Sequence, residues 1–175
     1  MTSNRFGKSK SAYAFDGISN FIGCGTNSIL GFSNSSQLSI SVWVYPIPTS
    51  NGAVLSKYLN LDAGSSNYFL IVYGPDLIIA GNGTNSVTST NSIITNKWNH
   101  IVITFDASHN IIRSYINGVA GNSGSLNFNP TIPVTPFDIG RVEGPIPDYY
   151  AGSIDDVRVY NRILTSSEIT YLAAH

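Results

Sequence analysis

Charge is scarce in this sequence. Only 11% of its 175 residues are acidic or basic, ten of one sign against nine of the other, for a formal net charge of −1. Lysine and arginine are scattered along the chain, so there is no basic face of the kind that nucleic acids or anionic membranes require. Cysteine occurs once, at Cys24, which excludes an internal disulfide; within Phe21-Ile22-Gly23-Cys24-Gly25 it reads as a small buried hydrophobe. A single thiol is compatible with the cytosol and with bacterial export alike. No apolar run approaches the ~18 residues of a transmembrane helix, so membrane insertion is not expected. What the chain has in abundance is Ser, Thr, Asn and Gly, a polar and uncharged surface that suits neutral ligands better than ionic partners.

The apolar residues fall in short alternating runs. Gln37 to Tyr45 alternates strictly, with Leu38, Ile40, Val42 and Val44 on one face and Ser39, Ser41, Trp43 and Tyr45 on the other. A tryptophan on the second face predicts a strand covered on both sides, and Pro46 and Pro48 end it. Lys97 to Asp106 and Ile111 to Ile116 give two more strands, the second leading into Asn117-Gly118, the strongest hairpin signal in the chain. Shorter strands are predicted at Ser11 to Gly17, Ala53 to Lys57, Tyr68 to Tyr73 and Leu77 to Ala80, and a Ser/Thr/Asn-rich one after Asn82-Gly83 running to Ile94. Near the end, Thr165-Ser166-Ser167-Glu168 matches a capping box, followed by an apolar stripe of Ile169 and Leu172. Many short strands, regular turn signals and one terminal helix predict an all-β fold: an antiparallel two-sheet β-sandwich with one short C-terminal helix, in one domain over residues 1–175.

Two adjacent carboxylates, Asp155 and Asp156, interrupt the β-branched and aromatic run from Gly152 to Asn161. Strands disfavour Asp, and a buried charge is costly unless it is paired or binds a metal. Two readings are open: a cation held by one of these carboxylates, or a structural pair with Arg158 or Arg162. Catalytic arrangements are harder to find. His100 lies in a strong strand and reads as a structural histidine; His109 is in a turn and His175 is terminal, so no zinc-ligand or triad spacing results. There is no Gly-x-Ser-x-Gly elbow, and turns such as Gly121-Asn122-Ser123-Gly124 lack the strand–loop–Lys setting of a phosphate cradle.

Several blocks, in order, carry a family resemblance: Ala14-Phe15-Asp16-Gly17; Leu38 to Val44; Lys97 to Asp106; Tyr115-Ile116-Asn117-Gly118; Ile139-Gly140; and Gly152 to Leu164, closing on Ser167-Glu168-Ile169. With them the chain resembles the laminin-G-like jelly rolls of the concanavalin A-like lectin/glucanase superfamily, from about Arg5 to its end. The resemblance implies two face-to-face antiparallel sheets, an extracellular or cell-surface setting within a larger protein, and glycans or other protein domains as partners. An export signal is then expected outside the stretch that begins Met1-Thr2. The resemblance also implies a structural calcium ion with Asp16 and Asp155 as carboxylate ligands, completed by carbonyls and water to the six to eight oxygens, at roughly 2.3–2.6 Å, that calcium takes. Asp156 would then pair with a nearby cation or face solvent. Trp43 and Trp98 fall where the family packs side chains inside and are expected in the core.

The related glucanases place two glutamates on one strand face around an Asp. Here no glutamate flanks Asp155 or Asp156, and the only glutamates are Glu143 and Glu168, so the chain is not expected to be an enzyme. The resulting expectation is a non-catalytic, lectin-like carbohydrate-binding module. Sugar modules stack rings on exposed aromatics and bind hydroxyls with amides and arginines, which nominates Tyr58, Asn67, Tyr73, Arg141 and Tyr149. An adhesion or spacer domain is the first alternative, and a polysaccharide hydrolase or lyase the second.

Overall fold

The alternating run Gln37–Pro46 becomes β3, a central strand. Its inward residues Leu38, Ile40, Val42 and Val44 are at most 4% exposed. Its second face is covered as well, since Ser39 and Ser41 are buried and Trp43 and Tyr45 half-buried. The computed structural model describes residues 1–26, 30, 37–57, 68–73, 77–81, 85–89, 92–125, 135–143 and 147–175. Among these, β3 lies in a six-stranded antiparallel sheet. The order is β1 (Tyr13–Asp16), β14 (Ala151–Tyr160), β3, β8 (Asn99–Asp106), β9 (Ile111–Ile116) and β10 (Val119–Ser125). The second sheet runs β12 (Arg141–Val142), β13 (Asp148–Tyr149), β4 (Gly52–Ser56), β5 (Phe69–Tyr73), β6 (Leu77–Gly81) and β7 (Ser86–Thr88). To it β11 (Asp138–Ile139) adds by pairing with both β4 and β2 (Ile22–Gly23). This is the predicted jelly-roll sandwich.

Alternation explains the layering. The inward residues of both sheets, among them Ile40, Val42, Val54, Leu70, Ile101, Phe105 and Ile154, form the main core. Full burial of such a side chain contributes about 1.5–3 kcal/mol. On the opposite face of the second sheet, Ala53, Phe69, Ile71 and Val142 form a separate buried cluster. The Asn117-Gly118 turn has φ of 51° and 80°, the two positive values that a tight hairpin between β9 and β10 requires.

The helix α1 (Ser166–Ala174) begins as its sequence specifies. Thr165 Oγ1 accepts the Glu168 N–H at 3.3 Å, and the Glu168 carboxylate accepts the Thr165 N–H at 2.8 Å. Arg162 also pairs with Glu168 at 2.6 Å. That guanidinium, with the Thr165 hydrogen bonds, holds the Glu168 carboxyl at about 2. Ile169 packs with Val102 and Leu164, so α1 lies on the outer face of the six-stranded sheet.

Three expectations are corrected. Cys24 is exposed rather than buried, because β2 is only two residues long and ends beside it. Neither tryptophan joins the core: both are half-buried outside it, Trp43 against His100 and Trp98 against Tyr45. Of the Ser/Thr/Asn-rich run towards Ile94, only Ser86–Thr88 is strand among the described residues, since such side chains offer little to pack on a pleated face.

Candidate functional site

Asp155 and Asp156 sit in a strand because the strand is broken there. The pairing of β14 with β3 shifts register between Asp155 and Arg158, and Asp156 adopts φ +48°. This is a β-bulge, with an Asp in the left-handed conformation that it tolerates better than most residues. Arg5 closes on the bulge, its Nη1 lying 2.6 Å from Asp156 and 3.4 Å from Asp155. Its guanidinium also lies over the Trp43 ring at 4.7 Å and the Phe6 ring at 4.3 Å. Asp155 therefore pairs with an arginine, but with Arg5 rather than Arg158 or Arg162; Arg158 contacts Asp156 at 3.5 Å. Burial and the Asp156 charge push the Asp155 carboxyl above its usual value, against the pull of the Asp156 N–H and Arg5.

Asp16 lies elsewhere. In β1 it pairs opposite Ala151, four positions along β14 from Asp155, or roughly 13 Å at the rise of a strand. Its Oδ1 accepts the N–H groups of Ile18 and Ser19 at 2.9 Å and of Asn20 at 3.1 Å. Those bonds hold the exposed carboxyl well below the usual carboxylate range. Asp16 thus organises its own turn. Asp16 and Asp155 are not brought together, and as a pair they do not fit one shared ion. Among the described residues no cluster of three or more His, Cys, Asp or Glu gathers.

Two of the five nominated sugar contacts do meet. Arg141 and Tyr149 are register partners between β12 and β13. Asp138, which alternates with core-facing Ile139, turns a 2%-exposed carboxylate away from the core and towards Arg141. It accepts Arg141 Nε at 2.9 Å and Nη2 at 2.7 Å. The guanidinium lies 3.5 Å from the ring centroid of Phe21, an exposed side chain, and 3.8 Å from Glu143. Burial works against the Arg141 charge, but the Asp138 carboxylate bonded to it, with Tyr149 and Glu143 nearby, outweighs burial and holds the group above its ordinary value. The result is a fixed arginine beside an accessible aromatic ring. Sequence reasoning missed Asp138 and Phe21, although Asp138 within Phe137-Asp138-Ile139-Gly140 is the same anomaly, a carboxylate in a strand, as Asp155. Tyr58 and Asn67 lie outside the described residues, as does the side chain of Tyr73, whose backbone ends β5.

His100 is buried on the outer face of β8, with Nε2 2.8 Å from Ser41 Oγ. The pair resembles part of a triad, but Nδ1 has no partner among the described residues, so no carboxylate orients the ring. Burial first, then the Arg5 and Arg158 charges, hold this histidine down to about 4 from its ordinary 6.5. The unfolded chain binds that proton near 6.5 and the folded one only near 4. Stability should therefore fall as pH drops through this window. Urea midpoints against pH should show a flatter fall for His100→Gln than for wild type; an unchanged slope would mean that His100 is protonated within the fold.

Comparison with known proteins agrees with this architecture. Residues 22–170 match the model of a laminin-G family described under the concanavalin A-like lectin/glucanases superfamily. Domain 4 of an extracellular arabinanase from Geobacillus stearothermophilus, solved in complex with arabinotriose, is 26% identical. The match covers 98% of this chain and 86% of that one, with a TM-score of 0.59. The CBM40 of the Ruminococcus gnavus IT-sialidase, bound to α2,3-sialyllactose, is 14% identical over 93% and 97% of the two chains, with a TM-score of 0.69; that likeness is one of fold. The adhesion G-protein coupled receptor V1 of Danio rerio is 26% identical over 147 residues, which is 76% of this chain but 2% of the receptor. No helix among the described residues is long and apolar enough to cross a membrane.

Proposed function

Because the chain belongs to this laminin-G family of the concanavalin A-like lectin/glucanases superfamily, we propose that it is a non-catalytic carbohydrate-binding module of an exported protein, gripping a neutral oligosaccharide at the Arg141–Tyr149 edge. One observation carries the reading: Arg141 is held by the buried Asp138 beside the exposed Phe21 ring. A fixed guanidinium donates to sugar hydroxyls without losing side-chain freedom on binding, and an aromatic ring offers the apolar face of a sugar something to stack on. Support also comes from the arabinotriose-bound arabinanase domain, whose sequence is 26% identical. Tyr58, Asn67 and Tyr73 belong to the same proposal as further contacts. A calcium ion shared by Asp16 and Asp155 is not part of this proposal, since the two carboxylates are four strand positions apart.

The test is a glycan array followed by calorimetry with arabino-oligosaccharides and sialyllactose, with and without EDTA. Arg141→Ala should weaken the binding about tenfold or more, while a thermal melt checks that the variant is folded. Binding is expected to survive chelation. An array with no glycan bound would remove the lectin reading and leave the adhesion or spacer one, which the receptor match supports. Release of reducing ends from arabinan would instead revive a hydrolase.

A further inference from the structure

Among the described residues, the main core stays open at one edge of the sandwich. There β1 ends the six-stranded sheet, and β2 lies at the margin of the second sheet, paired with β11. Between them is a cavity of about 180 Å³. Phe15 and Ile154 line it from one sheet and Ile22 and Ile139 from the other; the first two belong to the main core and the second two pack against it. Tyr13, 49% exposed, stands at the mouth with Ser11, Asp155 and Asp156. Arg141, Tyr149 and Phe21 are not among the lining residues.

The bulge in β14 explains the opening. Ile154 points inward at 2% exposure, and alternation makes position 156 the next inward one. An aspartate stands at that position, and its φ of +48° breaks the pleat there. Only with Val157 and Val159 does β14 again deliver apolar side chains to the core. The cavity is thus the space of about one large side chain. A dry apolar cavity of roughly 150 Å³ lined by Leu, Ile and Phe takes up benzene, so a single ring fits here and a fused polycycle does not. The walls can be reached without opening the fold, since Ile22, Ile139 and Val157 are half-buried and Tyr13 is exposed.

The mouth decides what the ring carries. Of the four charged side chains at the bulge, Asp155 and Asp156 line this cavity, whereas Arg5 and Arg158 do not; they line the cavity on the outer face of the sheet. An ionised carboxylate only accepts hydrogen bonds, so a ligand carboxylate is repelled and an ammonium gains a partner. Arg5 and Arg158 already hold Oδ2 of Asp156, at 2.6 and 3.5 Å, which tempers the preference for a cation without reversing it. The Asp156 side chain is 35% exposed, and its carboxylate has lone pairs beyond those two contacts.

We propose that this cavity binds a small arylalkylamine, with its single ring among Phe15, Ile22 and Ile139 and its ammonium on the Asp156 carboxylate. The inference stands apart from the carbohydrate reading of the Arg141 edge. The test is an NMR titration of the whole chain, carrying ¹³C-labelled isoleucine methyls, with phenethylamine. The methyls of Ile22, Ile139 and Ile154 should shift saturably. Phenethyl alcohol should bind about fivefold more weakly, phenylacetate more weakly still, and n-butylamine, which has the charge without the ring, should leave the three methyls unmoved. Asp156→Asn keeps a residue that tolerates the left-handed backbone. It should remove the preference for the amine over the alcohol while the alcohol still binds, which shows the cavity to be intact. The inference is overturned if phenethylamine does not move these methyls, if phenylacetate or n-butylamine matches it, or if the preference for the amine survives in Asp156→Asn.

Discussion

Arg5→Ala should destabilise the protein by about 2–3 kcal/mol, and by the same amount in calcium and in chelator. Breaking a buried ion pair by removing one partner costs about 3–5 kcal/mol, because the other charge is left behind without compensation. Here the discount is modest, since the Arg5 and Asp155 side chains are 9% and 13% exposed and that of Asp156 35%. The loss has two parts: the charge that balances the bulge, and the cation–π sandwich between Phe6 and Trp43. Arg5→Met keeps much of the apolar stem and should fall between wild type and Arg5→Ala. Adding Asp156→Asn to Arg5→Met should recover part of the loss, because the orphaned carboxylate is then neutral. Urea denaturation of the four proteins gives the comparison. The companion variant Asp155→Ala separates the two readings of the bulge. Equal losses with and without calcium mean that Asp155 serves Arg5, and a loss seen only in calcium means that it holds an ion.

The contrast between these two aspartates and the rest of the chain shows what the sequence could and could not reveal. Strands β3, β8 and β9 and the start of α1 were readable because each is set by a local rule: period-two alternation, the Asn-Gly turn, the capping box. Glu168 was assigned to its cap for the same reason. The partner of Asp155 was not readable, because Arg5 lies 150 positions away and no periodicity connects a terminal segment to a late strand. The tryptophans were misplaced for a related reason. Alternation puts Trp43 on the second face of β3, but cannot say that this face is covered by a polar arginine and a histidine instead of a second apolar layer. At the proposed binding edge, Arg141 and Tyr149 could be nominated by residue type, while Asp138, which fixes Arg141, needed the pairing of β11 and β12 with their neighbours.

Gly140→Ala should cost about 3 kcal/mol and weaken glycan binding together with stability. Gly140 stands between β11 and β12 at φ +84°, where an alanine costs about 1–2 kcal/mol from its own backbone. Its neighbours allow no escape. The N–H donates to the Val54 carbonyl at 2.8 Å, and the carbonyl accepts the Tyr150 N–H at 3.0 Å. A Cβ at this position would run into the ring of Phe15, itself part of the main core, and overpacking of that kind costs about 1–3 kcal/mol. The two contributions separate in a double-mutant cycle with Phe15→Leu, which shortens the obstructing side chain. The coupling should be about 1 kcal/mol in favour of the double variant, with the backbone part still lost. Because Gly140 directly precedes Arg141, any shift that relieves the clash moves the guanidinium off Asp138 and Phe21. Saturating titrations on the folded fraction should therefore show weaker oligosaccharide binding in Gly140→Ala, partly restored in the double variant. Unchanged affinity with reduced stability would mean that the sugar does not use Arg141, and the binding edge would then have to be sought among Tyr58, Asn67 and Tyr73.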